Sequence, residues 1–230
     1  MKIKGFVMSF VDYPDNVCLT IFTGGCNYRC PFCHNADLVL SPEKFETVPL
    51  ERMLFEITKR KKLIDGITIS GGEPLLNENI MELITPVKEM GLAVKLDTNG
   101  AFPEQLKKLL DSGMLDYVAM DIKTSPEKYS EACGIDVNFE QVRKSAELLR
   151  ASPINYEFRT TAVPGLVEKE DINNIGEWLF GAKNYYLQQF APTGSLSAEY
   201  RKKRAHPPEK LAEFAKLAGR YFLNVGVRGL

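Results

Sequence analysis

Residues 17–34 read Val-Cys-Leu-Thr-Ile-Phe-Thr-Gly-Gly-Cys-Asn-Tyr-Arg-Cys-Pro-Phe-Cys-His. The first seven form an apolar, β-branched run, which predicts a buried strand. Three cysteines, Cys26, Cys30 and Cys33, follow it directly. Zinc and iron–sulfur clusters both favour thiolates, and structural sites usually take four protein ligands. A compact group of three therefore predicts a metal centre with one coordination position left free for chemistry.

The run at residues 17–23 recurs along the chain and indicates the fold class. Similar runs predict six strands, at 17–23, 66–70, 93–97, 117–122, 156–163 and 185–190. Apolar residues at three- and four-residue spacing predict helices at 50–62, 77–90, 103–112, 138–151 and 168–180. Alternating strands and helices favour a parallel sheet, and six units are too few for a closed eight-stranded barrel. We therefore predict an α/β fold, a partial, laterally open (β/α)6 barrel.

The alternation weakens after the sixth strand. Residues 209–219 have a helical pattern, and residues 221–227 fit either a last strand or an irregular tail. No linker indicates a second domain. We expect a single domain over residues 1–230, with a core at about 15–195 and a short C-terminal extension at 196–230.

Composition excludes several classes of function. The chain has 230 residues, is 44% hydrophobic and has a net charge of -1, so no overall field attracts nucleic acid. It has neither an apolar run long enough to span a membrane nor a signal-peptide core. The odd number of cysteines, three of them close together, suits a metal site in a reducing compartment, and we expect a cytoplasmic protein. The basic run at 201–204 is interpreted as a solvated loop in preference to a docking patch.

Polar residues and glycines mark the ends of the predicted strands. The second strand ends in Ser70-Gly-Gly-Glu-Pro74, the third in Asp97-Thr-Asn-Gly100 and the fourth in Met120-Asp-Ile-Lys123, and the fifth contains Arg159-Thr-Thr161. Loops that follow parallel strands gather at one rim of a barrel. We therefore expect these segments and the three cysteines to face one cavity.

Cys-x3-Cys-x2-Cys after a first strand, with Gly-Gly-Glu-Pro after the second, resembles the radical S-adenosylmethionine enzymes. Cys33-His-Asn35, Val163-Pro-Gly165 and the motifs at 97–100 and 120–123 resemble the activators of pyruvate formate-lyase and anaerobic ribonucleotide reductase. The resemblance covers residues 15–195. Asp12-Tyr-Pro14, Ile21-Phe-Thr-Gly-Gly-Cys26 and the absence of a cysteine-rich insert between Cys33 and Gly71 look most like the activator of anaerobic ribonucleoside-triphosphate reductase.

The resemblance implies cofactors and a reaction. Cys26, Cys30 and Cys33 would hold a [4Fe-4S] cluster whose remaining iron is chelated by the amino and carboxylate groups of S-adenosylmethionine. An electron from a donor such as flavodoxin or ferredoxin would then cleave the cofactor to methionine and a 5'-deoxyadenosyl radical. That radical would abstract the Cα hydrogen of a glycine in a partner glycyl-radical enzyme. No residue beyond the cluster and cofactor is expected to be catalytic.

The same resemblance places further residues around the cofactor. The candidate contacts are Gly71, Gly72, Glu73, Pro74, Asp97, Thr98, Asn99, Asp121, Lys123, Arg159, Thr161 and Gln189. Glu73 would accept a hydrogen bond from the methionine amino group. Asp97, Thr98 and Asp121 match positions that hold a monovalent cation in pyruvate formate-lyase activators. Tyr28 and Phe32 would shield the cluster or stack near adenine. The sequence departs from those activators near the end of the sixth predicted strand. They carry a histidine there, whereas this chain reads Gln188-Gln-Phe-Ala-Pro192.

Other interpretations of these residues remain open at the level of sequence. The cysteines could form a zinc site completed by Cys18, His34 or Cys133. Gly71 to Pro74 could be only a turn, and the polar strand ends could be caps. The alternative functions are a pyruvate formate-lyase-type activator, a small-molecule enzyme similar to 7-carboxy-7-deazaguanine synthase, and a non-enzymatic zinc-binding interaction protein.

Overall fold

All eight strands lie in one sheet and follow one another in sequence order. The computed structural model describes residues 1–230. Strand β1 pairs antiparallel with β2, and every later neighbour is parallel. The strands are β1 (Ile3–Ser9), β2 (Cys18–Thr23), β3 (Gly66–Gly71), β4 (Ala93–Thr98), β5 (Tyr117–Asp121), β6 (Asn155–Ala162), β7 (Asn184–Gln189) and β8 (Asn224–Arg228).

Eight helices connect these strands. They are α1 (Ala36–Leu40), α2 (Leu50–Arg60), α3 (Met81–Glu89), α4 (Pro103–Asp111), α5 (Tyr129–Cys133), α6 (Phe139–Ala151), α7 (Lys169–Trp178) and α8 (Pro208–Ala218). The six predicted helices correspond to α2, α3, α4, α6, α7 and α8. The five-residue helices α1 and α5 were not predicted, because they are too short to show helical periodicity. None of the helices is long and apolar enough to cross a lipid bilayer.

The prediction of an α/β fold with a laterally open sheet is confirmed, because β1 and β8 form its two edges and do not pair with each other. The outer layer of the core is apolar, as strands covered by helices require. The inner face of the sheet carries polar and charged residues instead. Lys95 and Asp97 share this face of β4, and Glu157, Arg159 and Thr161 share it on β6, because alternate residues of a strand point the same way.

The sheet extends beyond the predicted core at both ends. Strand β1 was not predicted, and β8 adds to the barrel a segment that was expected to be a C-terminal extension. The sequence pattern that predicts a strand is weak in both segments, because β1 is partly exposed and β8 is only half-buried along its five residues. A one-sided edge strand lacks the continuous apolarity of the central strands.

Strand β8 is fixed to the barrel interior by an ion pair between two residues that are 71 positions apart in the sequence. The guanidinium of Arg228 donates to both carboxylate oxygens of Glu157, at 2.6 and 2.8 Å. Glu157 is fully buried and also accepts a hydrogen bond from the Tyr117 hydroxyl at 2.8 Å. The same guanidinium lies 3.6 Å from the ring centroid of Tyr186. Arg228 therefore ties β8 to β5, β6 and β7.

We expect Arg228→Met to lower the free energy of unfolding by about 3 kcal/mol, because it leaves the Glu157 carboxylate buried without its cation. Urea denaturation of the metal-free protein measures the change. Arg220→Met is the control, since Arg220 lies on an exposed turn after α8. Equal midpoints of urea unfolding for Arg228→Met and the wild type would contradict the role of Arg228 in holding β8 to the barrel.

Candidate active site

A cavity of about 440 Å³ opens at the carboxyl ends of the parallel strands. It confirms that the predicted strand-end segments and the cysteine loop face one space. Glu73, Pro74 and Gln189 are the three candidate residues that do not line it. The candidate residues on its wall are Cys26, Cys30, Cys33, Gly71, Gly72, Asp97, Thr98, Asn99, Asp121, Lys123, Arg159 and Thr161.

The three cysteines lie on the loop that follows β2, and this loop is held by short-range hydrogen bonds. Cys33 N donates to Cys30 O at 3.0 Å, and Tyr28 N donates to Cys26 Sγ at 3.4 Å. The Arg29 guanidinium donates to the carbonyl oxygens of Cys26 (2.7 Å) and Tyr28 (2.8 Å). Burial raises the pKa of the Cys26 thiol to about 12. Metal binding must therefore displace protons, since the thiolate is the ligand.

The number of thiolates on the cavity wall bears on which metal group they could hold. Cys26, Cys30 and Cys33 line the cavity, and no other cysteine does. A structural zinc site usually takes four protein ligands, whereas three thiolates leave one iron of a [4Fe-4S] cluster without a protein ligand. The donor set therefore fits such a cluster better than a structural zinc ion. Of the residues considered as a fourth zinc ligand, His34 lines the cavity, Cys133 is buried against Cys30, and Cys18 does not line the cavity.

The two glycines after β3 allow the second loop to lie against the cysteine loop. Gly71 has a φ of 113°, which favours glycine, and a Cβ on Gly72 would lie 1.9 Å from the Gly25 carbonyl oxygen. Gly72 N donates to Thr23 O and Glu73 N donates to Gly25 O, both at 2.9 Å. The Gly-Gly pair is thus required where the two loops touch, independently of any contact with a cofactor.

Glu73 joins neighbouring loops and does not line the cavity. Its side chain is buried, and its carboxylate accepts hydrogen bonds from the Thr98 hydroxyl (2.8 Å), Asn99 N (2.7 Å) and Leu75 N (3.1 Å). Burial outweighs these bonds and raises the pKa of Glu73 to about 7. A carboxylate can accept about four hydrogen bonds, so one remains available. The contact between Glu73 and the cofactor amino group stays a prediction.

Two further candidates point away from the cavity. The Gln189 amide donates to His206 O at 2.8 Å, and its neighbour Gln188 lines the cavity instead. Adjacent residues of a strand face opposite sides, so choosing between the two glutamines required the register of β7. Pro74 is buried at the start of a short 3-10 turn, Pro74–Leu76.

Several residues of the cavity wall were not among the predicted contacts. Asn35 donates to Gly71 O at 2.8 Å, and Asp12 accepts a hydrogen bond from the Thr20 hydroxyl at 2.7 Å. Both belong to motifs that carry the family resemblance, so a signal was present in the sequence. Tyr28 and Phe32, which were expected to shield the cluster or stack near adenine, line the cavity, and so does His34. The other wall residues outside the candidate contacts are Phe22, Val39, Gln188 and Ser70, of which Ser70 belongs to a predicted strand-end segment.

Five charged side chains form a continuous chain across the barrel interior. Lys95 pairs with Asp97, and Arg159 bridges Asp97 (3.4 Å) and Asp121 (2.9 Å). Lys123 Nζ lies 2.9 Å from the second oxygen of Asp121. Burial alone would raise the pKa of Asp121, but Arg159 and Lys123 lower it to about 2. The pKa of Asp97 is likewise lowered, against the effect of burial, by Arg159 and Lys95.

Both carboxylates are therefore ionised, and three cations face two anions within this chain of ion pairs. Two of these cations, Lys123 and Arg159, line the cavity together with both anions. Asp12, the third acid on the wall, forms no ion pair and bonds only the Thr20 hydroxyl. Lys123 and Arg159 are thus the groups on the wall that suit a ligand carboxylate.

We expect Gly72→Ala to lower the free energy of unfolding by about 2 kcal/mol, because its Cβ would force the two loops apart. The same variant should retain less iron after anaerobic reconstitution, because the displaced loop contains the cysteines. Denaturation and iron analysis measure the two effects. Gly5→Ala is the matched control, since a Cβ there meets no atom within 4 Å. Equal effects of both substitutions would contradict the close contact between the loops.

Comparison with known proteins agrees with this geometry. The model of the Radical SAM superfamily matches residues 20–179. A Methanocaldococcus jannaschii protein, provisionally named a glycyl-radical enzyme activating enzyme, is 34% identical over 232 residues, which cover 98% of this chain and 95% of that protein. The pyruvate formate-lyase-activating enzyme of Staphylococcus aureus is 31% identical over 194 residues, which cover 76% of this chain and 74% of that enzyme.

A solved structure shares the fold. Streptococcus suis SuiB bound to S-adenosylmethionine superposes with a TM-score of 0.70 at 16% identity, covering 89% of this chain and 48% of SuiB. The chain thus spans about half the length of SuiB, and the likeness concerns the fold alone. Radical SAM enzymes use a [4Fe-4S] cluster and S-adenosylmethionine, and the cysteine loop and the cavity fit both groups. The chain is an enzyme that belongs to the radical SAM superfamily and, within it, to the glycyl-radical enzyme activating enzymes.

Proposed function

We propose that this enzyme generates a glycyl radical on a partner enzyme, anaerobic ribonucleoside-triphosphate reductase. The observation that carries the proposal is a cysteine loop inside a cavity whose barrel is open along one side. A loop of a large protein could reach the cavity between the unpaired edges β1 and β8. The names of the relatives from Methanocaldococcus jannaschii and Staphylococcus aureus support a protein substrate of this class.

The residues of the chain have distinct roles in this proposal. Cys26, Cys30 and Cys33 would hold the cluster, and Lys123 with Arg159 would bind the methionine carboxylate. When bound, the reduced cluster supplies the electron that cleaves S-adenosylmethionine and so yields the radical that abstracts hydrogen from glycine.

Aromatic residues and loop contacts complete the proposed site. Tyr28 and Phe32 are buried within the cysteine loop, where they would exclude water from the radical. The Asn99 amide donates to Asn27 at 2.8 Å and lies 3.7 Å from Cys26 Sγ. These bonds would keep the cysteine loop and the loop after β4 in register while the cofactor is bound.

The choice of partner rests on the sequence around the site. Residues between Cys33 and Gly71 form two helices, a short 3-10 turn and most of β3, with no further cysteine. Gln188 lines the cavity near the position where pyruvate formate-lyase activators carry a histidine. The second candidate is pyruvate formate-lyase, which the similarity to the Staphylococcus aureus enzyme favours. The reaction requires a one-electron donor such as flavodoxin or ferredoxin, and we place it in the cytoplasm.

The experiment is anaerobic incubation of the reconstituted enzyme with S-adenosylmethionine, a one-electron reductant and either candidate partner. We expect an EPR doublet from a glycyl radical on ribonucleoside-triphosphate reductase and a much weaker one on pyruvate formate-lyase. Cys30→Ala should give no radical and lose most of its iron, because the cluster lacks a ligand. Cys18→Ala is the matched control, since Cys18 is an equally buried thiol that does not line the cavity.

Three results would contradict the proposal. Cleavage of S-adenosylmethionine without a radical on either partner would exclude both candidate partners, and turnover of a small molecule without any partner would assign a different substrate class. A radical on pyruvate formate-lyase alone would reverse the choice between the two enzymes.

A further inference from the structure

The residues expected to bind a monovalent cation are already bonded to protein donors. One oxygen of Asp97 accepts from Ser70 Oγ at 2.9 Å, and the other faces Lys95 and Arg159. The oxygens of Asp121 accept from Arg159 and Lys123, each at 2.9 Å. Each of the four carboxylate oxygens therefore already contacts a donor of the protein.

The third expected ligand and the surrounding charge also argue against a metal ion. The Thr98 hydroxyl donates to Glu73 at 2.8 Å and accepts from Gly100 N at 3.2 Å, so it is already engaged within the protein. A metal cation would have to displace one of three positive side chains or lie beside them, where like charges repel. Hard cations need free oxygen ligands. The residues present do not fit a monovalent metal ion at this position.

Lys95 is the residue that explains why this position does not fit a monovalent metal ion. It lies within β4, its side chain is 1% exposed, and its ammonium group pairs with Asp97. An unpaired lysine in such a position would be strongly unfavourable, so the pair requires both members. Lys95 lies on the inner face of the sheet directly below the carboxylate that was expected to bind the metal.

We propose that the ammonium group of Lys95 supplies, from within the chain, the positive charge that a monovalent metal ion would supply at Asp97. S-adenosylmethionine then binds without any requirement for Na⁺ or K⁺. Lys95 is a positioning residue, because it acts on the cofactor through Asp97 and Arg159. The inference rests on the proposed function only in placing the cofactor in this cavity, since it concerns binding and needs no partner enzyme.

The test is calorimetric titration of the cluster-loaded enzyme with S-adenosylmethionine in KCl, NaCl and choline chloride at equal ionic strength. Choline is too large to replace a bound metal ion. We expect the wild-type affinity to agree within about twofold in the three salts. The Lys95→Met variant should bind S-adenosylmethionine about tenfold more weakly than the wild type in choline chloride. Its affinity should recover in KCl or NaCl, because a small cation can then reach Asp97.

A second measurement needs no cofactor. In the metal-free protein, KCl should raise the unfolding midpoint of Lys95→Met by about 3 °C relative to choline chloride and leave the wild type unchanged. Lys95→Gln, which keeps a donor toward Asp97 without the charge, serves if the methionine variant does not fold. Lys88→Met is the control, because Lys88 pairs with Asp116 at 2.7 Å outside the cavity.

The binding results test this proposal separately from the proposed glycyl-radical activity. Wild-type binding that falls about tenfold or more in choline chloride would overturn the proposal, because a metal ion would then be required. A neutral substitution of Lys95 that alters neither affinity nor the response to salt would also overturn it. Wild-type enzyme that binds no S-adenosylmethionine would overturn the placement of the cofactor and this proposal with it. A failed glycyl-radical assay would change none of these binding results.

Discussion

The pairing of charges inside the barrel is the constraint on which the rest of the site depends. Asp97 and Asp121 stand at the carboxyl ends of adjacent strands, where they would repel each other if Arg159 did not bridge them. Lys95 and Lys123 complete the chain of ion pairs at its two ends. Because buried charges are tolerated only when they are paired, the network fixes the relative positions of β4, β5 and β6. It also places Lys123 and Arg159 on the wall of the cavity that contains the cysteine loop.

Backbone contact supplies the second half of the site. The loop after β3 lies so close to the cysteine loop that side chains are excluded at Gly71 and Gly72. Glu73 then bonds the next loop through Thr98 and Asn99. Three successive strand ends are thus connected by hydrogen bonds before any cofactor binds. This order around the cysteines is what a cluster with one open iron requires, since its ligands must be held while the cofactor enters.

Much of the fold and the site could be predicted because the relevant patterns are local. Buried parallel strands give continuous apolar runs, and the residues after each run reach the same rim, so the cysteines, Asp97, Asp121 and Arg159 were placed correctly on one cavity wall. The orientation of Gln188 and Gln189 could not be predicted, because it depends on the register of a single strand.

Ion pairs between residues far apart in the sequence could not be predicted either. Arg228 binds Glu157 across 71 positions, and no local pattern connects them. Lys95 was not singled out from the sequence, because only the structure shows that it pairs with Asp97. This pairing is the basis of the proposal that an ammonium group takes the place of the predicted cation.

In the proposed site, three thiolates hold the cluster while Lys123 and Arg159 on the cavity wall receive the cofactor carboxylate. A crystal structure of the anaerobically reconstituted enzyme with S-adenosylmethionine tests it most directly. We expect Cys26, Cys30 and Cys33 to be the only protein ligands of the cluster and the methionine carboxylate to lie within hydrogen-bond distance of Lys123 or Arg159. A fourth protein ligand on the cluster, or a carboxylate bound away from both cations, would contradict it.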